Sequence, residues 1–180
     1  MFAFALNDEA AREFAPHREV FTGVGKIKAA YHLLKAIHEK RPGIIINLGT
    51  AGSNLFRKGE VVCCTGFIQR DMNAIPLGFD RYETPFSGEP PLLQYGLRLE
   101  HLPEAICGTG DSFDTEHHTT DYAVVDMEAF ALAYVAQQEN IPFLCLKYIS
   151  DGADGAAAQD WAITVHQAAI ALREAMERIS

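Results

Sequence analysis

The sequence predicts an α/β domain built on a mostly parallel sheet, and three observations carry that prediction. Short apolar runs alternate with longer segments of helical spacing along the whole chain. The apolar runs are continuous rather than alternating, as in IIINLG at 44–49 and PFLCLKYIS at 142–150, the pattern of strands covered on both faces. Of the 180 residues, 48% are apolar, enough for one sizeable core at the length of a single domain.

Taken in order, residues 2–6 read as a first buried strand, and NDEAAREF as a short helix begun by Asn7, a preferred N-cap residue. Residues 19–22 form a second strand. GVGKIKAAYHLLKAIHEK then places Ile27, Ala30, Tyr31, Leu34 and Ile37 at the spacing of one helix face. RPG stops that helix, and IIINLG follows as a fully buried strand. GEVVCCTGFIQR is β-rich. Residues 71–91 hold four of the eight prolines and read as a long loop, a type that is commonly functional. Within it, Leu77, Phe79, Tyr82 and Phe86 suit a pocket lid, a subunit contact, or aromatics that pin the loop to its own core. EAICGTG is a short strand, MEAFALAYVAQQEN a helix and PFLCLKYIS a strand. A closing helix spans residues 159–179, with Ala162, Val165, Ala169 and Leu172 on one face. No repeat, linker or low-complexity tract divides the chain, so residues 1–180 are expected to form one domain.

The totals exclude several function classes. A formal charge of −9 argues against nucleic acid polymers and anionic membranes as partners, while a small ligand in a local site stays open. Cys63, Cys64, Cys107 and Cys145 show neither CxxC nor a metal spacing, as expected of reduced thiols in a cytoplasmic protein. MFAFAL lacks a basic start and runs into Asp8 and Glu9, so it reads as a strand rather than a secretory leader. No apolar run reaches the ~20 residues that span a bilayer. The seven histidines form no HExxH pattern and no GxSxG elbow is present, which leaves metal and serine-nucleophile chemistry without support.

Ligands of α/β sheets collect at the carboxyl ends of the strands, and four turns suited to a ligand fall there: TGVGK, NLGTAGS, GTGDSF and SDGAD. Each has an ordinary reading as well. TGVGK lacks the first glycine and the Ser/Thr of a phosphate loop and suits a tight strand-to-helix turn. NLGTAGS offers flexible backbone and the Thr50 hydroxyl, or a glycine turn alone. Asp151 and Asp154 in SDGAD suit an N-cap, yet Asp151 comes directly off a buried strand. In VVDMEAFALAYVA, Asp126 and Glu128 stand at the mouth of an apolar segment. Acids in a first helical turn satisfy free N–H groups and the macrodipole; alternatively, one of them holds a ligand.

In the same order, TGVGK, INLGTAGSNLFRKGEVV, GTGDSF, VVDMEAFALAYVA and YISDGAD resemble the motifs of the purine nucleoside phosphorylase and methylthioadenosine/adenosylhomocysteine nucleosidase superfamily. The likeness runs from about Phe2 to the closing helix and is most specific in DMEAFALA and SDGAD. It implies a single-domain, three-layer sandwich around a mixed, mostly parallel sheet. The chain is shorter than typical members, with a stretch missing between the first helix and EVFTGVGK.

The resemblance implies roles for individual residues. Glu128 matches the acid that holds the ribose hydroxyls, and Met127 the residue against the sugar. Asp151 matches the acid that protonates the purine at N7, and Phe113 the aromatic that stacks on the base. Glu9 matches the acid that activates water, with Thr50 where nucleosidases have a serine near that water. Gly23, Gly49 and Ala51 belong to the turns that line the sugar end. These assignments fit the chemistry. Breaking an N-glycosidic bond builds positive charge on the sugar and negative charge on the leaving base, so the base needs a proton from a well-placed acid. A carboxylate can accept from two hydroxyls at once. Asp126, where the family usually has Glu, is then a cap or a structural partner.

Phosphorylases of the superfamily carry an arginine just before the glycine turn. Here that position is Asn47, as in the nucleosidase-like branch. The resemblance therefore implies an N-ribosyl hydrolase of purine nucleosides or 5′-thio-nucleosides, in purine salvage, needing neither metal nor organic cofactor. It also implies a homodimer or larger homo-oligomer in which a neighbour closes the pocket. The alternatives are a phosphate-dependent phosphorylase, for which Arg70 is the available cation, and a catalytically inactive nucleoside-binding protein.

Overall fold

The continuous apolar runs form the strands of one eight-stranded sheet. The computed structural model describes residues 1–15, 17–155 and 157–178, apart from the side chains of residues 158–163 and 166. In chain order the elements are β1 (Phe2–Phe4), α1 (Asn7–Ala10), β2 (Glu19–Phe21), α2 (Lys26–Glu39), β3 (Ile45–Gly52) and β4 (Val61–Gln69). They continue with β5 (Leu92–Gln94), β6 (Glu104–Thr109), β7 (Val124–Asp126), α3 (Ala129–Gln138), β8 (Phe143–Asp151) and α4 (Ala157–Glu177).

Pairing divides the strands into two parallel sets. β2, β1, β3 and β8 are parallel neighbours, and so are β4, β6 and β7. The sets meet antiparallel, Gly52 of β3 against Val125 of β7 and Val61–Cys63 of β4 against β8. Because Gly52 and Val125 lie at the ends of their strands, the carboxyl ends of both sets face one space. That convergence builds the site.

The helices cover both faces of the sheet. α2 and α3 pack over Ile45, Phe67, Cys145 and Ile149, while α1 and α4 pack over Phe4, Leu48 and Leu146. All four cysteines are buried and free. No helix among the described residues is long and apolar enough to cross a membrane.

Several elements differ from the sequence reading. The helix begun at Asn7 ends at Ala10, because Ala11 and Arg12 turn to φ of 45° and 67°; its cap is not Asn7 but Glu9, which reaches back to the Leu6 N–H. On α2 the buried stripe is Ala29, Leu33, Ala36 and Ile37, and Ile27 and Tyr31 point outward at 83% and 63% exposure. This helix is apolar on more than one face, so spacing alone did not select the inner one; the small Ala29 and Ala36 let the backbone approach its neighbours. α3 begins at Ala129 rather than Met127. β5, which had no sequence signal, adds an antiparallel edge to β4. In the long loop Leu77 and Phe86 are exposed, whereas Tyr82 is buried and donates its hydroxyl to Asp121. On α4, Val165, Ala169 and Leu172 are buried; the side chain of Ala162 and residue Ile179 lie outside the described residues.

Candidate active site

A cavity of about 460 Å³ lies where the strand ends converge. Glu9, Thr50, Ala51, Phe113, Met127, Glu128 and Asp151 all line it. Five separate segments contribute these residues, and the fold brings them together. Gly23 and Gly49 stand just behind the wall. The Gly23 N–H donates to Ala5 O at 3.1 Å, and Gly49 leaves room beside the Glu9 carboxylate and the Lys147 ammonium.

Glu9 is 5% exposed and fully engaged. One carboxylate oxygen accepts the N–H groups of Ala5 and Leu6, both at 3.1 Å. The other accepts the N–H and the hydroxyl of Thr50, both at 2.9 Å. Four donors occupy the four lone-pair positions of a carboxylate. The short α1 turn thus ties itself to β3 through this one acid.

Asp126 and Glu128, two residues apart, have opposite surroundings. The Asp126 side chain is withdrawn from solvent; it accepts from Thr109 Oγ1 at 2.6 Å and from the Ala129 N–H at 2.8 Å, which caps α3. The Lys147 ammonium lies 2.8 Å away. Burial would raise the Asp126 carboxyl, but Lys147 outweighs it and holds the group below its ordinary range. Glu128 receives one hydrogen bond among the described residues, from the Gly25 N–H at 3.0 Å. Burial pushes its carboxyl up to about 8, Asp126 beside it adds to the rise, and Lys147 and the Gly25 N–H oppose it. One acid is neutralised in the wall; the other turns into the cavity with acceptor capacity to spare.

Asp151 ends β8 and is 4% exposed. It accepts from Ser150 Oγ at 2.8 Å and from the Ala153 N–H at 2.9 Å. A Cβ on Gly52 would come within 2.6 Å of its carboxylate, so the strand beside Asp151 must be glycine. Gly52 and Lys147 were not singled out from the sequence. A signal existed for Lys147: a lysine inside the apolar run FLCLKYIS must find an acid, since lysine is almost never fully buried unpaired. Gly52 sat unmarked within the glycine turn.

Phe113 is half-exposed at the mouth of the cavity. Arg70 also lines the cavity; its two terminal guanidinium nitrogens hold the Phe113 segment, donating to Ser112 O and, at 3.1 Å, to Ser112 Oγ, while its buried Nε has no hydrogen-bond partner among the described residues. Asn47 does not reach the cavity. It is buried, donates to Ala3 O at 3.1 Å and accepts from the Cys145 thiol at 3.2 Å. Among the described residues no group of His, Cys, Asp and Glu side chains is placed to hold a metal. The arrangement therefore offers hydrogen-bonded acids around a small, largely apolar cavity: equipment for binding hydroxyls and moving protons.

A model of the phosphorylase superfamily matches residues 20–180. The chain is 31% identical over 158 residues to the 5′-methylthioadenosine/S-adenosylhomocysteine nucleosidase of an Exiguobacterium strain, covering 74% of this chain and 66% of that protein. The nucleosidase of Staphylococcus aureus strain MRSA252 is 25% identical over 178 residues, covering 88% and 78%. The chain thus spans just under two thirds of the Exiguobacterium protein. Among solved structures, the Helicobacter pylori 5′-methylthioadenosine/S-adenosylhomocysteine nucleosidase superposes with a TM-score of 0.88 at 16% identity, over 98% of this chain and 95% of that one. The futalosine hydrolase of the same species gives 0.86 at 16% identity, over 98% and 94%. Both structures share the fold.

Proposed function

From its membership of the phosphorylase superfamily, to which the chain belongs, we propose that this protein hydrolyses the N-glycosidic bond of a purine nucleoside or 5′-thio-nucleoside. The products are the free base and ribose or a 5′-substituted ribose. The relatives named above are nucleosidases for methylthioadenosine and adenosylhomocysteine, which supports that substrate class.

In this reading Glu128 accepts the ribose hydroxyls through the lone pairs that Gly25 leaves open, with Met127 against the sugar. Phe113 stacks on the base, and Asp151 gives the departing purine its proton at N7. Glu128 in its ionised form and the Glu9 carboxylate favour the positive charge that grows on the sugar. Glu9 orients and deprotonates the attacking water. Its lone pairs are filled, so the water enters by displacing the Thr50 hydroxyl, the one donor of the four that can rotate away. Gly23, Gly49 and Ala51 shape the sugar end.

The observation that carries water over phosphate is the four-donor carboxylate of Glu9 at the nucleophile end. A phosphate dianion beside it would meet like charge, and the position of the phosphorylase arginine holds Asn47, consumed in the core. Arg70, though it lines the cavity, gives its two terminal nitrogens to Ser112. The protein is proposed to act in the cytoplasm, in purine salvage, as a homodimer or larger assembly; the outward Val24, Ile27 and Tyr31 suit a subunit contact. Chromatography of free base released from adenosine, inosine, methylthioadenosine and adenosylhomocysteine tests the reading. Release from at least one of them is expected; ligand-induced thermal stabilisation without release would make the protein a nucleoside-binding protein.

A further inference from the structure

Lys26, the lysine of TGVGK, has no part in the chemistry above, yet it is tightly held. Its ammonium lies 2.5 Å from Asp71 Oδ1, 3.4 Å from Gln69 Oε1 and 3.9 Å from Asp111 Oδ2. Its main-chain N–H donates to Asp111 Oδ1 at 2.8 Å. The Asp111 N–H in turn donates to Asp71 Oδ2 at 2.9 Å. These contacts close a ring that joins the start of α2, the residues after β4 and the residues after β6.

A working residue of the site adjoins the ring on each side. Gly25, immediately before Lys26, gives Glu128 the hydrogen bond described above. Phe113 follows Asp111 by two residues. Gly25 has a φ of 92°, and a Cβ there would stand 3.1 Å from Asp111 Oδ1, so the helix start fits Asp111 closely. Successive N–H groups of one helix terminus are thus shared between two carboxylates, Glu128 and Asp111. Charge at such a terminus is favoured by the free N–H groups and the macrodipole. The first turn of α2 also holds Gly25, through the Ala29 N–H that donates to its carbonyl at 3.0 Å, and Asp111 adds the restraint from the adjacent N–H.

We propose that Lys26, Asp71 and Asp111 are positioning residues for the reaction, locking the Gly25 N–H onto Glu128 and the Phe113 segment over the cavity. This rests on the hydrolase reading of the same site. The ring acts before the substrate arrives: it fixes the ribose clamp and the base-stacking ring relative to one another, which is the preorganisation that a transition state rewards. The charged groups facing Glu128 are Asp126 on its own segment, Lys147 of β8 and Glu9 of α1. None of these belongs to the ring, so of the groups acting on Glu128, breaking the ring alters the Gly25 contact.

The test is steady-state hydrolysis across pH by Asp111→Ala, Lys26→Met, Asp71→Asn and Lys26→Arg, with folding checked by circular dichroism. Loss of a hydrogen bond to a charged group predicts a fall in kcat of about 10- to 100-fold in Asp111→Ala. The acid limb of its kcat/KM profile should also move to higher pH, because the Gly25 N–H favours the charged form of Glu128. Lys26→Arg should keep most of the activity, and Lys26→Met combined with Asp71→Asn should cost no more than the worse single change. Wild-type kcat with an unmoved pH profile in Asp111→Ala would overturn the proposal. Should Asp111→Ala fail to fold, Lys26→Met keeps the main-chain bond and is judged by the same profile. If the wild type releases no base at all, the hydrolase reading fails, and calorimetric binding of methylthioadenosine decides the ring separately. A tenfold or greater weakening in Asp111→Ala would support it, and equal affinity would overturn it.

Discussion

The Lys147 ammonium lies 2.8 Å from the Asp126 carboxylate, with the two side chains 2% and 1% exposed. This pair stands beside Glu128, the proposed ribose clamp. Removing one partner leaves the other charged and buried, which costs about 3–5 kcal/mol. Lys147→Met should lose that much in urea denaturation, and pairing it with Asp126→Asn, which preserves the Ala129 cap, should recover most of it. A loss below about 1 kcal/mol in the single variant would mean the pair is not desolvated.

Glu128 gives stability a pH slope of defined sign. Its carboxyl is raised from 4.5 to about 8 in the fold, so between those values the folded protein holds a proton that the unfolded chain has released. Its contribution is full below about 4.5 and is lost as pH rises through 8. Glu128→Gln cannot ionise and should flatten the slope in denaturation curves taken at about pH 5 and about pH 8.5. Parallel losses in the two proteins would show that Glu128 is not the source.

Gly52 makes room for Asp151. A methyl group there would meet the Asp151 carboxylate at 2.6 Å and Val125 at 3.1 Å. Gly52→Ala should therefore displace the acid, lowering kcat by at least tenfold, while overpacking costs about 1–3 kcal/mol. Wild-type kinetics would mean that the neighbours yield without moving the acid.

The alternation of elements and all four ligand-suited turns were legible in the sequence, because continuous apolar runs, glycine punctuation and acids at strand ends leave plain marks. What was not legible depended on contacts between distant segments. Spacing could not choose between the Ala29–Leu33 stripe and the Ile27–Tyr31 stripe of α2, since both are apolar and only packing separates them. The truncation of α1 at Ala10 follows from the left-handed turn at Ala11 and Arg12, and the bonds from Thr50 to Glu9 that tie this turn to β3 are long-range contacts that no local pattern encodes. In the same way the sequence placed Asp126 and Glu128 together but did not name Lys147, which pairs with Asp126 in the cavity wall.

Asp151→Asn keeps the side-chain size while removing the ionisable carboxyl. It should abolish base release, leaving the circular dichroism spectrum unchanged. Glu128→Gln should chiefly reduce kcat, because the clamp strengthens as charge develops on the sugar. Turnover at the wild-type rate in Asp151→Asn would remove that residue from the role of acid.

Water is the proposed nucleophile, at a site whose nucleophile end is acidic. The most direct test is adenine release from methylthioadenosine in a buffer free of phosphate, repeated with phosphate added. Release at the same rate in both is expected, with 5-methylthioribose and no sugar phosphate as the co-product. Release only in the presence of phosphate, with a sugar 1-phosphate formed, would contradict it and turn attention to Arg70.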